Sequence, residues 1–288
     1  MSSLAALHQG LLPILTPIHP SFPFAIIDLI GAMRLSSVIN WIASGVFDPL
    51  PLTTPSKGRK KYGATKERAT LWQELVGLMI VVFGGETFLS MCTGSTPSWL
   101  VNPNIALLFC VIHTIQTRTS FIHLLPQKPS LPLELFLALP DAIGRTLLLT
   151  RFSIVPILHP TSPRTLPATT ATLILVPFIL AVPFASISFS TFNFFSPSLR
   201  LTTPAELAPK GWMLVDAWCP LLIAPLFLTL IGPVDGWDYG LGLGEDESVA
   251  ACVIVLWGCF TARAVYNFGF RKQDWANLFA SEEKKKIE

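Results

Sequence analysis

The sequence predicts an all-α membrane protein with seven transmembrane helices, and three observations predict this class. The chain has 288 residues, of which 51% are hydrophobic and only 13% are charged, whereas soluble domains carry about 25% charged residues. Seven apolar segments are each long enough to cross a hydrocarbon core of about 30 Å, which takes roughly 20 helical residues. Basic residues are concentrated in alternate loops, as seven crossings require.

The seven apolar segments lie between polar and proline-rich breaks. They cover residues 22–44, 70–92, 101–124, 131–156, 169–194, 213–232 and 247–270. The third segment is the least apolar, because it carries His113, Arg118 and His123. A soluble protein with buried helices is disfavoured, since seven such segments leave too little polar surface to cover them.

Lysine and arginine predict the orientation of the chain. Under seven crossings the loops on one side carry most of these residues, including six over 45–69, whereas the opposite loops carry Arg164 alone. Because basic loops favour the cytosolic side, the N-terminus faces the lumen or exterior and the C-terminus faces the cytosol. We therefore expect a lumenal segment over 1–21, a transmembrane domain over 22–270 and a cytosolic tail over 271–288.

The last four residues, KKIE, resemble a dilysine retrieval signal of the endoplasmic reticulum. Lys285 and Lys286 stand at the fourth and third positions from the end. Such a signal is read by a receptor on the cytosolic side, which agrees with the orientation from the loops. The alternative is a solvated basic tail.

Charged residues inside the predicted spans are the first candidates for a functional site. A charge at the bilayer centre costs at least about 2.5–3.5 kcal/mol, so such residues normally face a partner, the helix bundle interior or water. Arg151 and Asp216 lie near the interface and can extend to lipid headgroups instead. The set consists of Asp28, Arg34, Glu86, Asp141, Arg145, Arg151, Asp216 and Arg263.

Two segments of the chain resemble each other. FAIIDLIGAMRLS at 24–36 and LALPDAIGRTLLL at 137–149 share an Asp-x-Ile-Gly core followed by an arginine. Repeats of three spans each, over 22–124 and 131–232, would have opposite orientations, an arrangement known from transport proteins. The span over 247–270 would then be a seventh helix outside the repeats.

Two spans carry residues that interrupt or open a helix. The second span has Gly84 and Gly85, followed directly by Glu86, and the fifth span has Pro177 and Pro183. Such positions allow a kink or a close helix contact and free backbone carbonyls, which are tolerated only beside protein or water. Carbonyls and a carboxylate can replace part of a cation's hydration shell. Tight helix packing, with Glu86 paired to an arginine, is the alternative.

FGGETFLSMCTGSTPSWLVNPNIALLFCVIH, followed by LPLELFLALPDAIGR, resembles the trimeric intracellular cation (TRIC) channels of the endoplasmic and sarcoplasmic reticulum. The resemblance covers about residues 22–155, whereas the last three spans agree with the family only in number and hydropathy. The sequence departs from the family's Lys-Glu-x-x-Arg signature at Asp141 and Ala142, so only the signature arginine carries over. The matching features are Phe83 with Gly84, the turn from Gly94 to Pro97, Asn102 or Asn104, Leu131 with Pro132, and Arg145.

The resemblance implies a homotrimeric potassium channel of the endoplasmic reticulum that supplies counter-ion current for calcium release. Glu86, Asp141 and Asp28 would then attract the cation. They would also compensate the charges of Arg34, Arg145 and Arg263. Arg145 and Arg151 would contact membrane lipid, such as an anionic phospholipid. No cofactor, metal ion or nucleic acid is expected.

Two other classes of protein stay open from the sequence alone, a non-conducting membrane scaffold and a lipid-handling membrane enzyme. An enzyme is not predicted, because the sequence has no Gly-x-Ser-x-Gly or His-Glu-x-x-His motif. His113 and His123 have no evident acidic partner and are interpreted as polar interface residues. The five cysteines show no spacing typical of a zinc site.

Overall fold

The computed structural model describes residues 3–44, 68–126, 128–160, 166–192, 194–195, 201 and 215–270. These residues are mostly helical, which confirms the helical class in its general form. The helices are α1 (Ser3–Leu15), α2 (Ile26–Ala43), α3 (Leu71–Thr93), α4 (Ser98–Val101), α5 (Asn104–Arg118), α6 (Leu131–Leu149), α7 (Val155–Leu158), α8 (Thr170–Ala181), α9 (Phe189–Phe192), α10 (Val215–Ile231) and α11 (Glu245–Ala264). A short pair of strands, β1 (Pro17–His19) and β2 (Phe22–Ala25), joins α1 to α2.

A helix lies in each of the seven predicted segments. Within the described residues, three helices are long and apolar enough to cross a membrane: α2, α3, and α11 with its π-helical extension to Phe268. α8 and α10 are apolar but shorter. The structure therefore supports a mostly helical protein with membrane-type helices, and the number of seven crossings stays a prediction. The helix α1 was not expected in the N-terminal segment.

The chain divides into two compact units. The first unit consists of Ile18–Lys128 and Ile179–Trp212. In this unit α2 packs on α5, and α3 packs on α5 and on a π-helix over Pro183–Ser188. Its hydrophobic core includes Ile39, Leu78 and Phe195.

The second unit consists of Met1–Pro17, Pro129–Phe178 and Met213–Glu288. Here α11 is the central helix, because α1, α6 and α10 all pack on it. Two exposed side-chain contacts connect the start of α11 to the chain after α6: His159 Nε2 lies 2.7 Å from Glu245 Oε1, and Arg151 forms an ion pair with Asp246.

The boundary between the units falls inside α8, after Phe178. The predicted repeats instead divide the chain between residues 124 and 131. A compact unit is a set of segments that pack together, whereas a repeat is a relation of symmetry between two parts of the chain. Packing alone therefore does not test the repeats. The repeats over 22–124 and 131–232 therefore stay a prediction.

Both ends of α3 follow from local sequence. At its start the Thr70 hydroxyl accepts a hydrogen bond from the Gln73 amide at 3.3 Å, which caps a free N–H group of the first turn. At its end Gly94 adopts a φ of +66°, the left-handed conformation that favours glycine after a helix. These caps define the two ends of α3, the helix that carries Glu74, the glycine pair and Glu86.

Candidate functional site along helix α3

Gly84 and Gly85 lie inside α3, which continues as one helix of 23 residues through both of them. A Cβ atom added to Gly85 would lie 2.9 Å from the carbonyl oxygen of Ile179 and closer still to that of Leu180. One added to Gly84 would lie 2.8 Å from Cβ of Phe184. The glycine pair therefore allows the backbone of the fifth segment to approach α3 directly.

The segment that approaches the glycines is an interrupted helix. α8 ends at Ala181, and Pro183 begins the π-helix over Pro183–Ser188. Because Pro183 has no N–H group, the carbonyl of Ile179 four residues earlier has no α-helical donor. Pro177 lies inside α8 without ending it. The freed carbonyl of the interrupted fifth helix thus lies against the glycine pair of α3.

Glu86 lies half-buried, one residue after the glycine pair. Its Oε1 atom accepts a hydrogen bond from the backbone amide of Ser98 at the start of α4. The indole N–H of Trp99 donates to the Thr87 hydroxyl at 3.0 Å, so α4 is fixed to this end of α3. The structure gives Glu86 a backbone amide as its partner, in a helix-capping role.

Glu74 occupies the opposite end of α3 and is fully buried, with no exposed side-chain surface. Arg68 Nε lies 2.6 Å from Glu74 Oε1, and Arg118 Nη2 lies 2.9 Å from Oε2. His113 Nε2 lies 3.2 Å from the same Oε2 atom. We call these four residues the Glu74 cluster. They join the chain before α3 to the last two turns of α5.

A second shell of polar groups surrounds the Glu74 cluster. The Ser36 hydroxyl lies 2.9 Å from His113 Nδ1, and Arg68 Nη1 donates to Asn40 Oδ1 at 2.9 Å. Arg118 Nη2 also donates to the Ala69 carbonyl at 3.0 Å. Since Ser36 and Asn40 belong to α2, the cluster links α2, α3 and α5 at one end of the first unit.

Ser36, His113 and Glu74 form a hydroxyl–imidazole–carboxylate chain, the order of groups found in serine hydrolases. All three side chains are buried, with at most 1% of each residue exposed. The carboxylate is also paired with two guanidinium groups. The buried hydroxyl and the paired carboxylate are features of a polar network that joins helices.

Gln116 is a second buried polar residue of α5. It is 2% exposed, and neither atom of its amide has a hydrogen-bond partner within the described residues. A buried amide without a protein partner is normally hydrogen-bonded to water or to an ion. The neighbourhood of Gln116 is therefore a candidate for hydration inside the first unit.

The other predicted site residues lie outside the Glu74 cluster. Asp28 accepts from the Ala25 amide at 2.9 Å and caps the start of α2. The Arg34 guanidinium lies 5.4 Å from the centre of the Trp41 ring, and that of Arg263 lies 4.6 Å from the Phe260 ring. Asp141 and Arg145 lie one turn apart on α6, Arg151 pairs with Asp246, and Lys285 and Lys286 lie outside the described residues.

Sequence reasoning missed the Glu74 cluster. Glu74 lies in the second predicted span, but Arg68 and Arg118 were assigned to basic loops and His113 to a polar interface. The sequence did contain an indication of this pairing. Glu74 lies at the start of the second span and Arg118 near the end of the third, and these two positions are predicted to lie on the same side of the membrane. Their pairing depends on which helix faces pack together, and the sequence does not determine this.

No protein-family model, curated protein or solved structure matches the chain. The resemblance to TRIC channels therefore stays a prediction based on the residues that carry it. The membrane-type helices and the two sites on α3 are the observations from which a function is proposed.

Proposed function

We propose that this chain is a monovalent cation channel of the endoplasmic reticulum membrane. It conducts potassium as the counter-ion of calcium release and assembles as a homotrimer. Seven helices cross the membrane in two inverted repeats plus a seventh helix, with the N-terminus in the lumen and the C-terminus in the cytosol. The proposal includes no enzymatic reaction, cofactor or nucleic acid.

The interrupted fifth helix is the observation that carries this proposal. Within a membrane, a carbonyl without a helical donor is tolerated only where it contacts protein or water. Transport proteins use such interrupted helices because the freed carbonyls can coordinate a cation. The Ile179 carbonyl is such a group, because it has no α-helical donor. The glycine pair places no side chain between this carbonyl and α3.

Two further observations support a hydrated path in the first unit. The Glu86 carboxylate follows the glycine pair directly in the chain and adds a negative charge to the same part of α3. The buried Gln116 amide, without a partner among the described residues, is compatible with water between the helices. Arg145 is part of the proposal because of the family resemblance. Lys285 and Lys286 are part of it because they resemble a retrieval signal of the endoplasmic reticulum.

The proposal is tested by reconstituting the purified full-length chain into planar bilayers in potassium chloride. We expect cation-selective current from the wild type and reduced current from Gly85→Ala, because a methyl group there displaces the carbonyls of Ile179 and Leu180. Gly31→Ala is the matched control, since a Cβ at Gly31 meets nothing within 4 Å. Bilayers that stay silent with correctly folded protein would contradict the channel.

A non-conducting membrane scaffold is the second candidate, and the Glu74 cluster favours it. In this cluster the buried Glu74 carboxylate is paired with two arginines, as expected for charges that hold helices together. Folded, assembled protein that passes no current would support the scaffold over the channel.

A further inference from the structure

The Glu74 cluster carries more positive than negative charge. Two guanidinium groups share the single Glu74 carboxylate, and His113 adds a third nitrogen-bearing group. Glu74 is fully buried, whereas the side chains of Arg68 and Arg118 are 22% and 31% exposed. The surplus positive charge therefore lies on the outer side of the cluster.

The two arginines keep unused hydrogen-bond donors. Each guanidinium has about five N–H groups in a planar fork. Within the described residues Arg68 donates to both Glu74 oxygens and to Asn40, and Arg118 donates to Glu74 and to the Ala69 carbonyl. Half of the N–H groups of the pair thus have no described protein acceptor. The buried carboxylate fixes both guanidinium groups, so the remaining donors are held in place.

Exposed aromatic residues and a basic stretch stand close in sequence to the pair, as is typical of segments at a membrane–water interface. Trp72 lies in the first turn of α3 and is 77% exposed, and Phe121 follows the end of α5 and is 41% exposed. Exposed tryptophan at the end of an apolar helix is typical of the headgroup level of a membrane. The chain just before Arg68 is also basic, with Lys57, Arg59, Lys60, Lys61 and Lys66.

We infer that Arg68 and Arg118 form a phosphate-binding site for an anionic phospholipid headgroup. Guanidinium forks bind phosphate oxygens in pairs, which a single lysine ammonium cannot do. Glu74 is the positioning residue of this site, because it orients both arginines from the buried side. The inference rests on the proposed membrane location of the chain and does not depend on ion conduction.

The site is distinct from the predicted lipid contacts at Arg145 and Arg151. Those residues belong to the second unit, and Arg151 is paired with Asp246 in an exposed ion pair. The surplus donors of the Glu74 cluster instead belong to the ends of α3 and α5 in the first unit.

Native mass spectrometry of the full-length protein in detergent tests this site, with added phosphatidylglycerol, phosphatidylcholine or inorganic phosphate. We expect phosphatidylglycerol to bind more tightly than phosphatidylcholine, and inorganic phosphate to neither bind measurably nor compete. Arg118→Lys keeps the charge but removes the fork, so phosphatidylglycerol should bind about tenfold more weakly, as expected for the loss of one charged hydrogen bond.

Lys128→Gln is the matched control. It removes a whole exposed charge ten residues after the end of α5, so a site built on fork geometry should retain its affinity within about twofold. Arg68→Lys provides a second variant if Arg118→Lys does not fold, and the unfolding temperature without lipid checks the fold of each. Equal binding of wild type and both lysine variants would overturn the site. Tight binding of inorganic phosphate would overturn its assignment to a lipid.

Discussion

Two glutamates stand twelve residues apart on the same helix and have opposite surroundings. Glu74 is fully buried and bound by two arginines and a histidine. Glu86 is half-buried and accepts a hydrogen bond from the Ser98 backbone amide. Both carboxyl groups occur in an apolar helix, so their difference comes from what the neighbouring segments bring to them.

The two parts of α3 differ in the polar groups that contact them. At the Glu74 end, charged side chains from neighbouring segments neutralise the carboxylate. At the Glu86 end, the neighbours provide backbone polar groups: the Ser98 amide and the carbonyls of Ile179 and Leu180. We therefore expect substitutions at the first end to change stability most and those at the second to change conduction most.

The largest stability effect is expected for Glu74→Ala. Removing one member of a buried charge cluster costs about 3–5 kcal/mol, and the partial exposure of both arginines puts the loss near the lower figure. Glu86→Ala is the matched control on the same helix and should cost about 1 kcal/mol, as for the loss of a helix cap. The free energy of unfolding, measured by detergent titration, separates the two. Equal losses would remove the distinction between the ends.

A smaller effect is expected for Gly85→Ala. Alanine is favoured over glycine inside a helix by about 1 kcal/mol, but crowding against fixed backbone costs about 1–3 kcal/mol. We therefore expect a net loss of stability at Gly85 and a net gain for Gly31→Ala, where the new methyl group meets nothing within 4 Å. Unfolding temperatures of the two variants check this. A gain at Gly85 would show that the interrupted helix does not lie against α3.

The sequence predicted the helices better than their contacts. Apolar runs between polar breaks located a helix in all seven segments, because length and hydropathy are local properties. Both prolines of the fifth segment were predicted to interrupt a helix; α8 continues through Pro177 and ends just before Pro183. Gly84 and Gly85 were expected to allow either a kink or a close helix contact. The helix α3 continues through both glycines, and they allow a close contact with the interrupted fifth helix.

The Glu74 cluster could not be predicted in the same way. Its members come from before α3, from α3 and from α5, and they meet only when those segments pack on α2. Nothing in the spacing of Arg68, His113 and Arg118 reveals that all three face one carboxylate. The N-terminal helix α1 was missed because its 13 residues are too few for a membrane span, which was the criterion that located the other helices.

The smallest stability effect is expected for Glu86→Gln, because the amide oxygen of glutamine can still accept from the Ser98 amide. Glutamine removes the negative charge and keeps nearly the same shape. We expect the free energy of unfolding to change by less than about 0.5 kcal/mol, as for substitutions that leave packing intact. A large loss would indicate that the charge of Glu86 stabilises the fold.

The most direct test of a cation path beside the interrupted helix is the potassium current of wild type and Glu86→Gln in the same planar bilayers. With a potassium chloride gradient, the wild type should show a cation-selective reversal potential. The variant should show a smaller conductance or a reversal potential shifted toward zero, with assembly unchanged. Identical conductance and selectivity in the two proteins would contradict a path at Glu86.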